Sequence, residues 1–524
     1  MLVSILESVF LSVALFKGTL ASVAYCNNKD YESGALGISP HQTYNAAPFS
    51  PVQLNFALPP ADCPANSETE GYFFFYPLDL VSLELYGMIL NPNGTLVGAI
   101  PGFLRGLQKY NGTDHIAVWL GVGSPNAGGH GDGYNLLIDN TYSVVANFTT
   151  VNLGVGADIH ELQVTPSNTA IMTAYPSQAA NLSAYGGPED GYIYNSAFQE
   201  VDIATGKALV TWQPLGQVDP SECYAAIGQA GNGTFDDPWD YFHINSVQKQ
   251  DDGNYLVSSR HCHALYLLDS TGDIIWRMGG EKSNFNFSEG ANFTWQHHAR
   301  IHDSSTLSVF NNGAFQSEQD FPYSQGLLLN FDSSNREVSL INARSPFNRT
   351  VTTSQGSVQL LENGESIIGW GSIPSFSQHD RDGNIKWSAQ FASEADIISS
   401  YRVFLHNWVG RPTTPPSMQI SNTSTLTNVT VYAWWNGATE ITAWKLFGST
   451  ALSPLLPVYL NAVSKVDFET TLTYTGDHDE GFAFFQVAAM NANGEYLGYS
   501  NFSSLDGSTT MTKADNQTVT APPL

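Results

Sequence analysis

Three histidines stand at the same phase of three successive sequence repeats. His160 opens HELQVTPSNTAIMTAYP, His243 opens HINSVQKQDDGNYLVSSRH and His297 opens HHARIHDSSTLSVFNNG. Each leads into a short apolar run, a polar turn and a second apolar run. Gln355 opens a fourth copy, QGSVQLLENGESIIGWGS. Repeats that stack radially aim equivalent positions at a common axis. Three imidazoles meeting there would make a site, because near neutral pH an imidazole can serve as nucleophile, acid or base.

His243 carries the argument furthest. Asn245 shares its face by strand alternation, which makes it a candidate substrate contact. Arg260 follows seventeen residues after His243, in VSSRHCH. A hairpin turning at Asp251-Asp252-Gly253-Asn254 would bring Arg260 back beside His243. A single such histidine is most simply a satisfied structural residue, and an arginine is most simply half of a surface ion pair. Three histidines in phase favour a site instead. The arginine lies among apolar neighbours, and a buried guanidinium needs an anionic partner. Its forked donors match sulfate, phosphate or carboxylate.

Other polar groupings read more simply. His297 and His298 are adjacent, so alternation sends them to opposite faces and only one can meet the axis. His261-Cys262-His263 cannot easily close a tetrahedral metal site, and a disulfide accounts better for the cysteine. GHGDG at His130 reads as a turn, and HDRDG from His379 to Gly383 as a hairpin. No metal or cofactor is expected. There is no Ser-His-Asp signature or Walker loop, and GGHGDG and RMGGEK do not open helices, so no dinucleotide fingerprint is supported.

The elements that must position these residues are strands. LYGMILNPNGTLVGAI, GYNLLIDNTYSVVANF and SIIGWGSIPSFSQHDRDGNIKWSAQF alternate and turn in the manner of hairpins. A half-unit ending in tryptophan recurs at Trp212, Trp276 and Trp387, with NFDSSNREVSLI as a degenerate copy between the last two. A period of about 55–60 residues with four short strands predicts propeller blades, roughly six of them between residues 60 and 405. GRPTTPPSMQI, with Pro412, Pro415 and Pro416, then reads as a linker. The expected organisation is an all-β chain with a six-bladed β-propeller over 25–410. A small β-sandwich of fibronectin or immunoglobulin type follows over 411–505, then a disordered tail over 506–524.

Length and composition agree. The chain has 524 residues, 46 glycines, 26 prolines and a net charge of −28. Such charge disfavours nucleic acid and anionic lipid as partners. Residues 1–24 resemble a secretory signal peptide with cleavage after Ala21 or Ala24, a retained anchor being the alternative. Twelve N-x-S/T sequons agree with a secreted, extracellular glycoprotein: Asn93, Asn111, Asn147, Asn181, Asn232, Asn286, Asn292, Asn348, Asn422, Asn428, Asn501 and Asn516. The four cysteines suggest two disulfides. Order along the chain favours Cys26–Cys63 and Cys223–Cys262, although sequence alone leaves the pairing open.

From about Gly71 to Gly410 the chain resembles the arylsulfotransferase family, in particular its secreted fungal branch. The resemblance is carried by the ordered series GMILNPNGTLVG, IAVWLG, GHGDGYNLLIDNTY, HELQVT, PWDYFHINSV, GNYLVSSRH, GDIIWRMGGEKSNF, FTWQHHAR, FNNG and GWG. It implies a six-bladed propeller that moves a sulfuryl group from a phenolic sulfate ester to a phenol without a nucleotide sulfate donor. It also implies roles. His160 and His243 match the family's first and second active-site histidines, and Arg260 its SSRH arginine. His297 matches the nucleophile, which would become transiently sulfated. His298 stands where the family often has Asp, and so is a second candidate for facing the substrate. Tyr241, Phe242 and Trp295 could stack on a phenol or lie in the core. Competing readings are a non-catalytic secreted binding scaffold, an aryl sulfate hydrolase and, less favoured by blade count, a quinone-dependent dehydrogenase.

Overall fold

The computed structural model describes residues 24–505, apart from 60, 62, 64–68, 80–84, 124–128, 452–456 and 477–480. The expected signal segment (except Ala24), the tail and Asn516 lie outside the described residues. The fold is all-β; among the described residues the one α-helix is the four-residue Lys29–Glu32.

Residues 24–406 form six sheets of at least four strands, joined mostly by antiparallel hairpins. Each sheet has one edge strand turned inward: Val403–His406, Phe103–Tyr110, Leu162–Val164, Ile244–Lys249, His297–Ile301 and Ser357–Leu360. These six pack beside one another in that order, and the last returns to the first. An inward edge carries backbone N–H groups with no strand to pair them, and burying them unpaired is costly. The sequence meets this demand with a side chain on each strand that accepts an N–H of the next. Gln108 accepts from Val164 at 2.8 Å, Gln163 from Lys249 at 2.7 Å and Gln248 from Ile301 at 2.8 Å. His298 Nδ1 accepts from Val358 at 3.2 Å and Gln359 from Leu405 at 2.7 Å. His406 Nε2 completes the circuit on Leu107 at 3.4 Å.

Distant parts of the chain share sheets. Val403–His406 pairs antiparallel with Tyr72–Phe75, Phe73 opposite Leu405. Leu54–Leu58 adds to the sheet of Ser357–Gln390, and Ala24–Cys26 lies parallel to it. The recurring tryptophans fill the space between sheets: Trp212, Trp276 and Trp387 are buried, against Phe198, Phe285 and Phe56. Both disulfides, Cys26–Cys63 and Cys223–Cys262, are formed. The HDRDG segment is a hairpin turn, with Gly383 N–H on the Asp380 carbonyl at 3.1 Å.

Beyond Pro416 a three-stranded and a five-stranded sheet share their own core, including Val429, Val431, Trp444, Leu472 and Phe485. This unit is fastened to the rest. Glu469 accepts three successive backbone N–H groups, from Asn45, Ala46 and Ala47, at 2.7–2.8 Å. Gly437, in the left-handed region at φ +86°, passes so close to Tyr142 that a Cβ would lie 2.2 Å from the ring. Of the eleven described sequon asparagines, ten are exposed and Asn93 is half-buried.

Candidate active site

The three phased histidines stand where the chain enters three inward strands, and Gln355 precedes a fourth. The backbone there is unusual. His243 (φ +54°), Trp295 (+54°), His298 (+49°) and Gln355 (+65°) are all left-handed. A non-glycine residue pays about 1–2 kcal/mol for that conformation, and such strain gathers at functional sites. The ladder is also irregular between Ile244 and Ser246 and between His297 and Arg300. Those bulges break strict alternation, so His297 and His298 are not simply on opposite faces.

The imidazoles converge. Ring centroids of His160 and His243 are 4.8 Å apart, and His261 stacks on His243 at 4.6 Å. Tyr401 joins the group, 5.5 Å from His160 and 6.1 Å from His297. The hairpin turning at Gln250–Asn254 returns Arg260, whose N–H donates to the His243 carbonyl at 3.0 Å. Its guanidinium bonds the Thr353 carbonyl at 2.6 Å and His261 Nε2 at 3.3 Å, over the rings of Phe315 and Trp295. Arg260 Nε has no hydrogen-bond partner among the described residues. His160, His243, Arg260 and His297 are all nearly inaccessible.

Each imidazole is oriented through Nδ1. His160 meets Asp158 Oδ2 at 2.6 Å and His243 meets Asp240 Oδ2 at 2.5 Å. His297 Nδ1 lies 2.6 Å from Asn312 Oδ1. Asn312 Nδ2 donates to the carbonyls of Thr352 and Gln355, so its oxygen must be the acceptor and His297 Nδ1 must carry the proton. Nε2 is left with the lone pair, and the Gln355 N–H rests on it at 3.2 Å. Burial, reinforced by Arg260, pushes His297 well below the usual histidine range, so it stays neutral. Burial likewise depresses His243, against the pull of Asp240. Burial alone would raise the Asp240 carboxyl, but His243 and His130 override it and hold it well below the usual range. Burial lowers Arg260 to about 10, and it remains a cation at neutral pH.

A layer of arginines lies beside the imidazoles. Glu161, buried, pairs with Arg300 at 2.7 Å and with Arg402 at 2.9 Å. Those two cations overcome the burial that would raise its carboxyl and hold it at about 2. Arg105 donates to the Asp158 carbonyl at 2.8 Å. A cavity of about 240 Å³ opens among Arg105, Arg300, Arg402, Tyr401 and His298, and His297 is not in its lining.

Some residues singled out by sequence take other roles. Asn245 Nδ2 donates to the Gln296 carbonyl at 2.6 Å, which ties it to the backbone leading into His297, and its Oδ1 is buried with no hydrogen-bond partner among the described residues. His298 occupies the bridging position that glutamine fills on four other inward strands. Tyr241, Phe242 and Trp295 lie in the core. GHGDG is more than a turn: His130 Nε2 reaches Asp240 Oδ2 at 2.9 Å, and its ring stacks on Tyr175 at 3.8 Å. The reason is tertiary, since Asp240 comes from a distant sheet connection. His130, Asp240 and His243 are also the one described group able to meet a single cation, with ligand atoms within 4.8 Å of one another. Both imidazoles, however, already stand at hydrogen-bond distance from the same carboxylate oxygen. Cys262 is in a disulfide, and His263 stacks on Tyr224 at 4.1 Å.

Residues 106–392 match the family model of Arylsulfotransferase (ASST), more than half of the chain. The protein belongs to the arylsulfotransferase family. The matched stretch contains His130, Asp158, His160, Asp240, His243, Arg260, His297 and Asn312; Arg105, Tyr401 and Arg402 fall outside it. No curated protein matches the chain significantly. Similar solved structures include a protein of unknown function from Bacteroides caccae (12% identity, TM-score 0.37, covering 64% of this chain and 98% of that one). Another is from Lactobacillus plantarum (12% identity, TM-score 0.34, covering 78% and 100%). A third is virginiamycin B lyase from Staphylococcus aureus (10% identity, TM-score 0.31, covering 64% and 87%). Likeness at this level says nothing of the site.

Sequence reasoning passed over Asp158, Asp240, Asn312, Tyr175 and Tyr401. Two of them left a local signal: an aspartate two or three residues before the phased histidine, in DIH and DYFH, can orient its ring. Tyr175 and Asn312 end the second runs of the repeats that His160 and His297 open, so the same hairpin return that brings back Arg260 could have found them; Tyr401 comes from a remote strand and left no signal.

Proposed function

We propose that the protein transfers a sulfuryl group from an aryl sulfate ester to a phenol, on a six-bladed β-propeller spanning 25–410 with a β-sandwich over 411–505, as a secreted glycoprotein. The observation that carries the reading is the Asn312–His297 pair, which presents a neutral imidazole with its lone pair on Nε2 beside a buried cation, Arg260.

The step balances without a cofactor. Nε2 of His297 attacks sulfur; the N–S bond forms as the S–O bond to the phenol breaks, and the electron pair leaves on the phenolate. Arg260 offsets charge on the sulfuryl oxygens. His160 or His243, in the imidazolium form that its aspartate and the bound anionic ester favour, supplies the proton to the leaving oxygen and recovers one from the incoming phenol as the sulfuryl group moves on; for His243 the bound anion must offset the burial that keeps it neutral at rest. The Gln355 N–H must give up the lone pair when substrate binds, a cost that a single weak hydrogen bond keeps near 1 kcal/mol, roughly.

A second reading has one observation in its favour. Since Gln355 occupies Nε2 and the cavity borders His298 rather than His297, a binding scaffold that kept the family's residues would look the same at rest. Incubation with 4-nitrophenyl sulfate, with and without phenol, separates the readings. Transfer predicts phenyl sulfate and a sulfated His297 peptide by mass spectrometry, both lost in His297→Ala. Free sulfate as the sole product would assign hydrolysis, and no turnover with no labelled histidine would assign the scaffold.

A further inference from the structure

We propose that the axial cavity is a second ligand site, distinct from the imidazole layer, for a small aromatic carboxylate: a carboxylate head on a single planar ring. The inference does not depend on sulfuryl transfer.

The cavity has a mixed lining. Three guanidiniums, Arg105, Arg300 and Arg402, face one carboxylate, Glu161. The two histidines in its wall do not alter the balance. His298 is pushed well below the usual range and His406 down to about 4, both chiefly by burial, so each is neutral at pH 7. Counted over its lining the cavity carries an excess of two positive charges, part of which the ionised Asp158 carboxylate near Arg105 offsets, in a protein whose net charge is −28. Glu161 is already shared by Arg300 and Arg402, and Arg105 has a backbone carbonyl as its partner. Among the described residues Arg105 Nε and Arg402 Nε have no hydrogen-bond partner. Burial and the neighbouring Arg402 lower Arg105 to about 10, still a cation at neutral pH. Three buried guanidiniums thus share two carboxylates, Glu161 and Asp158; buried cations in excess of their anions are costly, and a planar guanidinium suits a carboxylate.

Apolar side chains, Phe103, Leu104, Leu107 and Phe404, complete the lining, and the Arg105 guanidinium lies over the Phe103 ring at 5.8 Å. The volume, about 240 Å³, is below the range of roughly 300–1,000 Å³ that takes drug-sized ligands, and suits one ring with its head group. An inorganic ion would leave the apolar side chains uncovered. Tyr401 stands between this cavity and the imidazoles, touching His160 and His297 on one side and lining the cavity on the other. None of His160, His243 and His297 lines it.

The test is calorimetric titration of the full-length protein with benzoate, and separately with inorganic sulfate. Wild type is expected to bind one benzoate per chain, at least tenfold more tightly than sulfate. His297→Ala should bind benzoate within twofold of wild type. Arg105→Met should weaken it tenfold or more, with Arg105→Lys recovering part of the loss. Leu107→Trp, which fills space in the cavity without removing a charge, should weaken it similarly and keeps the test decisive if Arg105→Met fails to fold. The proposal is overturned by any of three results: no saturable benzoate binding, sulfate binding as tight as benzoate, or binding lost in His297→Ala but kept in Leu107→Trp. Because no turnover is read, failure here leaves the sulfuryl-transfer proposal standing, and the reverse also holds.

Discussion

Asn312 and His297 are locked together at 2.6 Å, and the lock has a direction. Two backbone carbonyls hold the Asn312 amide so that only its oxygen can face the ring. Asn312→Asp keeps an acceptor there and adds charge that favours the imidazolium; Asn312→Leu removes the acceptor and frees the tautomer. On the proposed mechanism Asn312→Leu lowers kcat by about 100-fold or more with a smaller change in KM, and Asn312→Asp makes the rate fall as pH drops below neutral. Steady-state kinetics from pH 5 to 8 reads both. An unchanged rate in Asn312→Leu would remove the tautomer argument.

His297 and His298 separate by substitution. Glutamine already fills the bridging position of His298 on four of the six inward strands. His298→Gln is therefore expected to keep its fold and most of its transfer activity, whereas His297→Gln should lose at least a thousandfold, a glutamine amide being no nucleophile. Equal loss in the two variants would put His298 in the chemistry.

The ring of bridges also predicts how the fold responds to acid. His298 and His406 accept N–H bonds and must be neutral to do so. Burial depresses both, His406 to about 4. A histidine whose folded value is depressed binds protons more readily when unfolded. Its stability contribution is whole above the unfolded value of about 6.5 and is lost as pH falls toward the folded value. For His406 the loss is at most about 1.4 kcal/mol per pH unit between pH 6.5 and 4. Calorimetric Tm values should fall across that window, and His406→Gln should flatten the slope. A Tm independent of pH over that range would contradict the assignment.

Cys262 lies two residues beyond Arg260, and its bond to Cys223 closes a separation of 39 residues. Replacing both cysteines by serine should cost roughly 2–4 kcal/mol, read as a lowered denaturant midpoint. The same variant should lose activity faster than stability if the disulfide also steadies Arg260. Retained activity at full stability would assign the bond to neither task.

What the sequence disclosed was mostly local. Arg260 returns to His243 because a hairpin obeys short-range rules, and the phased histidines share a place because each opens the same kind of strand. The recurring Trp half-units were legible as a repeat, and Trp212, Trp276 and Trp387 are all inside. The hidden parts depend on which strands become neighbours. His130 reaches Asp240 across 110 residues, and Tyr401 reaches His160 across a longer span still. No periodicity encodes such meetings. Adjacent His297 and His298 were ambiguous for a related reason: a bulge between His297 and Arg300 suspends the alternation on which the expectation rested.

Val403–His406 takes its place by pairing with Tyr72–Phe75 and through the bridges to Gln359 and Leu107. A nascent polypeptide stopped before residue 400 would already possess every phased histidine and Arg260, yet lack the tyrosine and arginine that complete their surroundings. Competence would thus arrive with the last inward strand, and a half-made molecule could not begin work early.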